Sequence, residues 1–139
     1  MLRSIIGLFL VTLLWTTPVL AADVVLVVNP SNPLASLDAT IAKKIFLGKK
    51  GSWDNGDKVI LYSQYDAEVT DSFTRAVLNK SAQQFNTFWK KALFTGTGHT
   101  PVEVRDDAEM KKYIAADPRG IGYISREALD GSVKLVTLK

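Results

Sequence analysis

Residues 24–63 constrain the fold more than any other stretch of the chain. Val24-Val25-Leu26-Val27-Val28 is an unbroken apolar run, followed by the turn-forming residues Asn29-Pro30-Ser31-Asn32-Pro33. Leu37, Ile41 and Ile45 then recur at fourfold spacing, which predicts a helix over 37–47 with Gly48 just past its end. Ser36 or Asp38 can cap it. Asp54-Asn55-Gly56-Asp57 reads as a turn, because Asn-Gly tolerates positive φ at little cost. Val59-Ile60-Leu61-Tyr62 is a second apolar run, as expected of a strand covered on both faces. Strand, helix and strand in this order start an α/β lobe.

Ahead of that lobe, residues 1–21 read as an export leader. Arg3 supplies a positive start, residues 5–15 an apolar run, and Val19-Leu20-Ala21 a small-residue cleavage site, with cleavage after Ala21 or Ala22. An apolar run of 11 residues falls short of the roughly 20 needed to span a bilayer as an anchor. Residues 22–139 are then expected to form a single domain in the periplasm, large enough to bury roughly two-thirds of its unfolded surface.

The rest of the chain alternates helices and strands. Val69, Phe73 and Val77 predict a second helix over 70–78. A third begins at Ser81, where Ser81-Ala82-Gln83-Gln84 has capping-box spacing, and its inward stripe is Phe85, Phe88, Trp89, Ala92 and Leu93. Gly96-Thr97-Gly98 breaks the chain before Pro101 and an extended stretch. A fourth helix spans 106–116, with Met110, Tyr113 and Ile114 inward and a weak capping-box start at Asp106 and Glu109. Strands follow at 121–124 and 133–138, separated by one helical turn near 126–129. Such alternation implies a mostly parallel sheet flanked by helices.

Charge and composition exclude several functions. The formal charge is +3, or +2 once Arg3 is removed with the leader, too small for a nucleic-acid partner. Four Lys-Lys pairs (43/44, 49/50, 90/91 and 111/112) read as solvated helix faces, or as a docking patch for an acidic partner. With no cysteine, the chain has neither disulfides nor thiolate metal sites. His99 is the single histidine and lies in a loop, with no nucleophile elbow elsewhere, so no catalytic residues are expected. Asp54-Asn55-Gly56-Asp57 lacks calcium-loop spacing, and Asp106, Asp107 and Glu109 suit a helix start without an ion. No metal and no cofactor are expected.

Several pieces together carry a resemblance: Val27-Val28-Asn29-Pro30-Ser31-Asn32-Pro33, Ile45-Phe46-Leu47-Gly48-Lys49 with Trp53 behind it, Phe88-Trp89, Phe94-Thr95-Gly96, Pro101, and Gly120-Ile121-Gly122-Tyr123-Ile124. In this order and at these intervals they resemble the phosphate ABC-transporter substrate-binding proteins. The resemblance covers about residues 24–125 and implies a single lobe of a class II periplasmic-binding-protein-like fold, similar to short relatives that keep the second lobe. It implies a non-catalytic exported solute- or anion-binding protein, a small oxyanion such as phosphate as ligand, and a membrane transporter, second lobe or second protomer as partner. The competing reading is a ligand-free interaction module docking on a membrane protein or sensor.

The family's ligand loop carries Arg, then Asp, then Ser-Gly-Thr opening a helix. Aligned on it, this chain has Ser63 at the Arg position, Tyr65 at the Asp position and Ala67-Glu68-Val69 in place of Ser-Gly-Thr. Glu68 sets a negative charge beside donors meant for an anion. The hydroxyls left are Ser63, Thr70 and Ser72, with Arg75 the nearest cation. Helix capping by Thr70 or Ser72 and an Asp71–Arg75 pair are the alternative use of the same residues. The expected anion site is therefore a groove between the loop 29–33, contributing Asn29 and Ser31, and the loop 63–72, both placed beyond the carboxyl ends of strands.

Overall fold

The computed structural model describes residues 24–96 and 99–139. The leader expected at 1–21 lies outside the described residues, as do Thr97 and Gly98 of the expected breaker. In chain order the elements are β1 (Val24–Val28), β2 (Ser36–Leu37), α1 (Ala39–Phe46), β3 (Ile60–Gln64), α2 (Ala67–Phe73), α3 (Ala82–Phe94), β4 (Val102–Val104), α4 (Asp107–Ala116), β5 (Gly120–Ser125) and β6 (Lys134–Leu138). A π-helical turn, Thr74–Leu78, continues α2, and a 3-10 turn, Arg126–Ala128, follows β5.

The strands form one sheet in the order β2-β6-β1-β5-β3-β4. β2–β6, β5–β3 and β3–β4 are parallel, whereas β1 is antiparallel to β5 and to β6. Five strands thus point one way and β1 the other, which is the mostly parallel sheet expected. Alternation along the strands divides the core. Leu26, Val28, Leu61, Ile121 and Tyr123 face α1, α2 and α3. Val25, Val27, Tyr62 and Ile124 face α4 through Met110 and Ile114. The apolar runs are continuous because both faces are covered.

Capping sets where the helices start. Asp38 accepts from Thr40 N at 2.8 Å and caps α1, while Ser36 belongs to β2. Ser81 and Gln84 form the reciprocal capping box expected of α3. Asp106 caps α4, but the Glu109 carboxylate takes Arg105 rather than the Asp106 N–H, so only half of the box exists. The second helix starts at Ala67, three residues before the expected Thr70, because Asp66 accepts from the N–H groups of Glu68 and Val69, both at 3.1 Å. Two inward assignments fail: Leu93 is 64% and Tyr113 45% exposed. Leu93 lies in the last turn of α3, beyond the part packed on the sheet, whereas Tyr113 still leans on Tyr62 with ring centroids 6.0 Å apart.

Gly48 has φ +74°, and a Cβ there would lie 2.8 Å from the Trp89 ring. Gly48→Ala therefore combines a left-handed backbone with a steric overlap, and is expected to cost about 1–3 kcal/mol in urea unfolding. Gly51→Ala, with nothing within 4 Å, is the matched control and should stay within about 0.5 kcal/mol.

The link between α4 and the turn before β6 depends on pH. Lys111 Nζ donates to Asp130 Oδ2 at 2.8 Å and to the Ala128 carbonyl at 2.9 Å. The Lys111 bond, helped by Ser132, holds the Asp130 carboxyl at about 2 rather than its ordinary 3.8. A depressed carboxylate adds stability above its unfolded value and loses it as pH falls through the folded one. The acid limb of stability between about pH 4 and pH 2 should therefore flatten in Asp130→Asn, as read by urea midpoints across that range.

Candidate functional site

The two loops expected to share a groove lie at opposite ends of the sheet. Val28 at the end of β1 pairs with Ile121, and so does Leu61 near the start of β3. Because β1 runs against β3, its carboxyl end lies beside the amino end of β3, and the loop 29–33 lies far from the loop 63–72. Asn29 and Ser31 instead finish α4. Asn29 Nδ2 donates to the carbonyls of Ile114 and Ala115, both at 2.9 Å, and Asn29 Oδ1 accepts from Ser31 N and Ser31 Oγ. Buried this way, Asn29 adds a second donor to the Ile114 carbonyl, which also accepts from Asp117 N–H, and supplies one to the Ala115 carbonyl at the helix end.

At the carboxyl end of β3, the remaining candidates surround Tyr123. Thr70 Oγ1 donates to the Gln64 carbonyl at 2.8 Å, which commits its one proton. Its 2.7 Å contact with the Tyr123 hydroxyl is therefore one in which the phenol donates. Ser63 Oγ, 2.9 Å away, is then left to donate to the phenol oxygen, and Gln64 N–H adds a second donor at 3.2 Å. Ser63 is 4% and Thr70 3% exposed. Both hydroxyls are spent inside the protein.

Burial pushes the Tyr123 phenol above its ordinary value of 10, against the pull of its bonds with Ser63, Thr70 and the Gln64 N–H. It stays a neutral donor and acceptor. Its ring stacks on Phe73 at 4.1 Å and 6°, and Phe73 meets Phe46 edge-on at 4.7 Å.

Ser72 sits near the end of α2, not in the first turn where N–H groups are free. Two first-turn donors of α2, the N–H groups of Glu68 and Val69, are taken by the Asp66 carboxylate. Arg75 Nε donates to Asp71 Oδ2 at 2.6 Å, and Asp71 Oδ1 accepts from Ala82 N at 2.9 Å. The Ala82 N–H and then Arg75 hold the Asp71 carboxyl below its usual value. The pairing of Asp71 with Arg75 is the alternative use anticipated from the sequence, while helix capping falls to Asp66 rather than Thr70 or Ser72.

Two cavities flank Trp89. One, of about 440 Å³, opens at the carboxyl end of β3 among Phe85, Leu93, Pro101, Lys90 and Glu103. Tyr65, 68% exposed, lines it too and has its phenol pushed up by a hydrogen bond to Glu103. The other, of about 270 Å³, lies between the end of α1, β3 and β4. Sequence reasoning missed Tyr123 and Gln64 as the hub of this end of the sheet. Gln64 Nε2 donates to Asp107 Oδ1 and to the Tyr123 carbonyl, both at 2.9 Å. The available signal was that Ser63 and Tyr123 occupy the same face of two apolar strands. No group of His, Cys, Asp and Glu among the described residues is arranged to hold a metal ion.

This geometry has known counterparts. The chain is similar to an ABC-type phosphate transport receptor from Vibrio cholerae, at 20% identity and TM-score 0.60, over 86% of this chain and 47% of that one. It is similar to a phosphate binding protein from Stenotrophomonas maltophilia, at 15% identity and TM-score 0.65, over 85% and 39%. A high affinity periplasmic phosphate-binding protein bound with phosphate matches at 19% identity and TM-score 0.60, over 84% and 37%. No family model and no curated protein matches the chain. The fold is thus that of the phosphate ABC-transporter substrate-binding proteins, a mixed α/β sheet flanked by helices. The chain spans about half the length of the first of these receptors and less than half of the other two.

Removing the phenol oxygen tests the hub. Tyr123→Phe leaves Ser63 Oγ, Thr70 Oγ1 and Gln64 N–H short of a partner in a buried site. It is expected to cost about 1–3 kcal/mol in urea unfolding. A neutral result would mean that the three groups find other partners.

Proposed function

We propose that the chain is an exported, periplasmic, non-catalytic binding lobe that serves phosphate-type ABC uptake by holding a small oxyanion-class solute. Its leader is residues 1–21, removed after Ala21 or Ala22, and its partner is a membrane transporter or a second lobe. The observation that carries this reading is the match of 86% of the chain to slightly under half of a phosphate transport receptor.

Within that reading, the family's donor set does not transfer. Ser63 and Thr70 serve Tyr123, and Arg75 serves Asp71. An oxyanion on this lobe must therefore draw on other cations, and it meets one wall of protein rather than two. A second reading, docking onto a membrane protein, is favoured by the exposed cluster of Tyr65, Leu93, Phe94 and Val102 beside β4, the outermost strand.

Calorimetric titration with phosphate and sulfate separates the two readings. Saturable heat is expected, with thermal stabilisation of about 2.7 kcal/mol at a hundred times Kd. Silence with both anions at millimolar concentration would remove the reading in its phosphate and sulfate form, and silence with a carboxylate as well would leave docking. Arg75→Ala should leave the response in place, because Asp71 already neutralises that guanidinium. Loss of the response in this variant would return the site to α2.

A further inference from the structure

The cavity between α1, β3 and β4 differs from the rest of the surface in its charge. Lys50, Lys58 and His99 line it, and no carboxylate does. The nearest acid is Asp54, whose fully exposed side chain stands 3.8 Å from Lys50 Nζ and outside the lining. Lys58 and His99 take part in no ion pair among the described residues. By contrast, the larger cavity on the other side of Trp89 sets Glu103 against Lys90.

Trp89 forms a wall of the cavity. It is 8% exposed and stands between this cavity and the larger one, with its indole N–H enclosed in the protein. Gly48 fixes the ring in place: its missing Cβ leaves the 2.8 Å approach open to the far edge of the indole. The remaining walls are apolar, formed by Ile45, Val59, Leu61 and Val102.

We infer that this cavity is a binding site for a small organic anion, a carboxylate on a compact apolar body, with Lys50 and Lys58 supplying the charge and the Trp89 ring part of the apolar wall. The ligand class follows from the lining. Cations without carboxylates select an anion, and the apolar floor would leave bare phosphate oxygens unpaired while suiting a hydrocarbon or ring. A volume of about 270 Å³ lies below the roughly 300–1,000 Å³ of drug-sized pockets, so the body is small. The site is distinct from the loop 63–72. The inference rests on the reading of the chain as a binding lobe and names both the place and the ligand for it.

Benzoate is the probe, with benzylamine as its cationic counterpart and phosphate as the inorganic anion, each titrated calorimetrically into the purified chain at constant ionic strength. Saturable binding of benzoate but not benzylamine is expected. The Lys50→Gln/Lys58→Gln double variant should weaken it about tenfold or more, since charge-assisted bonds are lost. Both lysines are at the surface, so the variant should keep its far-UV spectrum and thermal midpoint. On saturation the Trp89 indole N–H resonance, assigned by its loss in Trp89→Phe, should shift, because the ring walls the cavity. Benzoate binding that survives the double variant unchanged, or leaves the Trp89 resonance in place, overturns the site. A response to phosphate alone overturns this inference and keeps the oxyanion reading, whereas a response to neither anion removes both.

Discussion

The carboxyl end of β3 is organised by one buried phenol. Tyr123 bonds Ser63 and Gln64 of β3 and Thr70 of α2, and stacks on Phe73 one turn further along α2. Each contact constrains a different element: the carboxyl end of β3, the start of α2, and the face of β5 from which the ring projects. A phenol has one proton and accepts through one oxygen, and here every capacity is used. The Tyr123 hydroxyl is satisfied by protein groups alone, which ties the loop 63–72 to β5, whereas Gln64 Oε1 beside it is buried without a hydrogen-bond partner. Loops that close on anions usually keep their N–H and hydroxyl groups in reserve.

The same ring joins two sequence motifs that are far apart in the chain. Phe46 comes from Phe-Leu-Gly-Lys and Tyr123 from Gly-Ile-Gly-Tyr, and both rings pack on Phe73. Gly48, at the end of the first motif, holds Trp89 of α3. These motifs therefore describe how α1, α2, α3 and β5 pack together, and a chain can keep them while its ligand loop changes. The fold shared with phosphate receptors is thus compatible with a loop 63–72 whose hydroxyls are used inside the protein.

Legibility in the sequence followed the range of the interactions. Local signals were read directly in the apolar runs of β1, β3 and β5 and the capping box at Ser81, but the fourfold spacing set α1 two residues early: Leu37 belongs to β2, and Asp38 caps a helix that begins at Ala39. The start of α2 was misplaced because Val69, Phe73 and Val77 are equally periodic from Ala67 or from Thr70, and only the Asp66 carboxylate decides. The direction of β1 was not legible at all. A strand buried on both faces has the same apolar run whichever way it is threaded, and its antiparallel pairing with β5 and β6 is set by residues nearly a hundred positions later. That one direction moved Asn29 and Ser31 to the other end of the sheet. Ser63 and Thr70 were read as available for the same reason: their partner is more than fifty residues away.

The internal use of these hydroxyls has a chemical consequence for any ligand. A dehydrated inorganic oxyanion needs many donors converging from different directions, because each oxygen left without one costs more than a single good contact returns. With Ser63, Thr70, Arg75 and two first-turn N–H groups of α2 committed, this lobe cannot provide that convergence at the loop 63–72. The cavity at the start of β3 instead sets Lys50 and Lys58 beside an apolar floor. A carboxylate needs only a few donors on one side and can bury its body against carbon on the other.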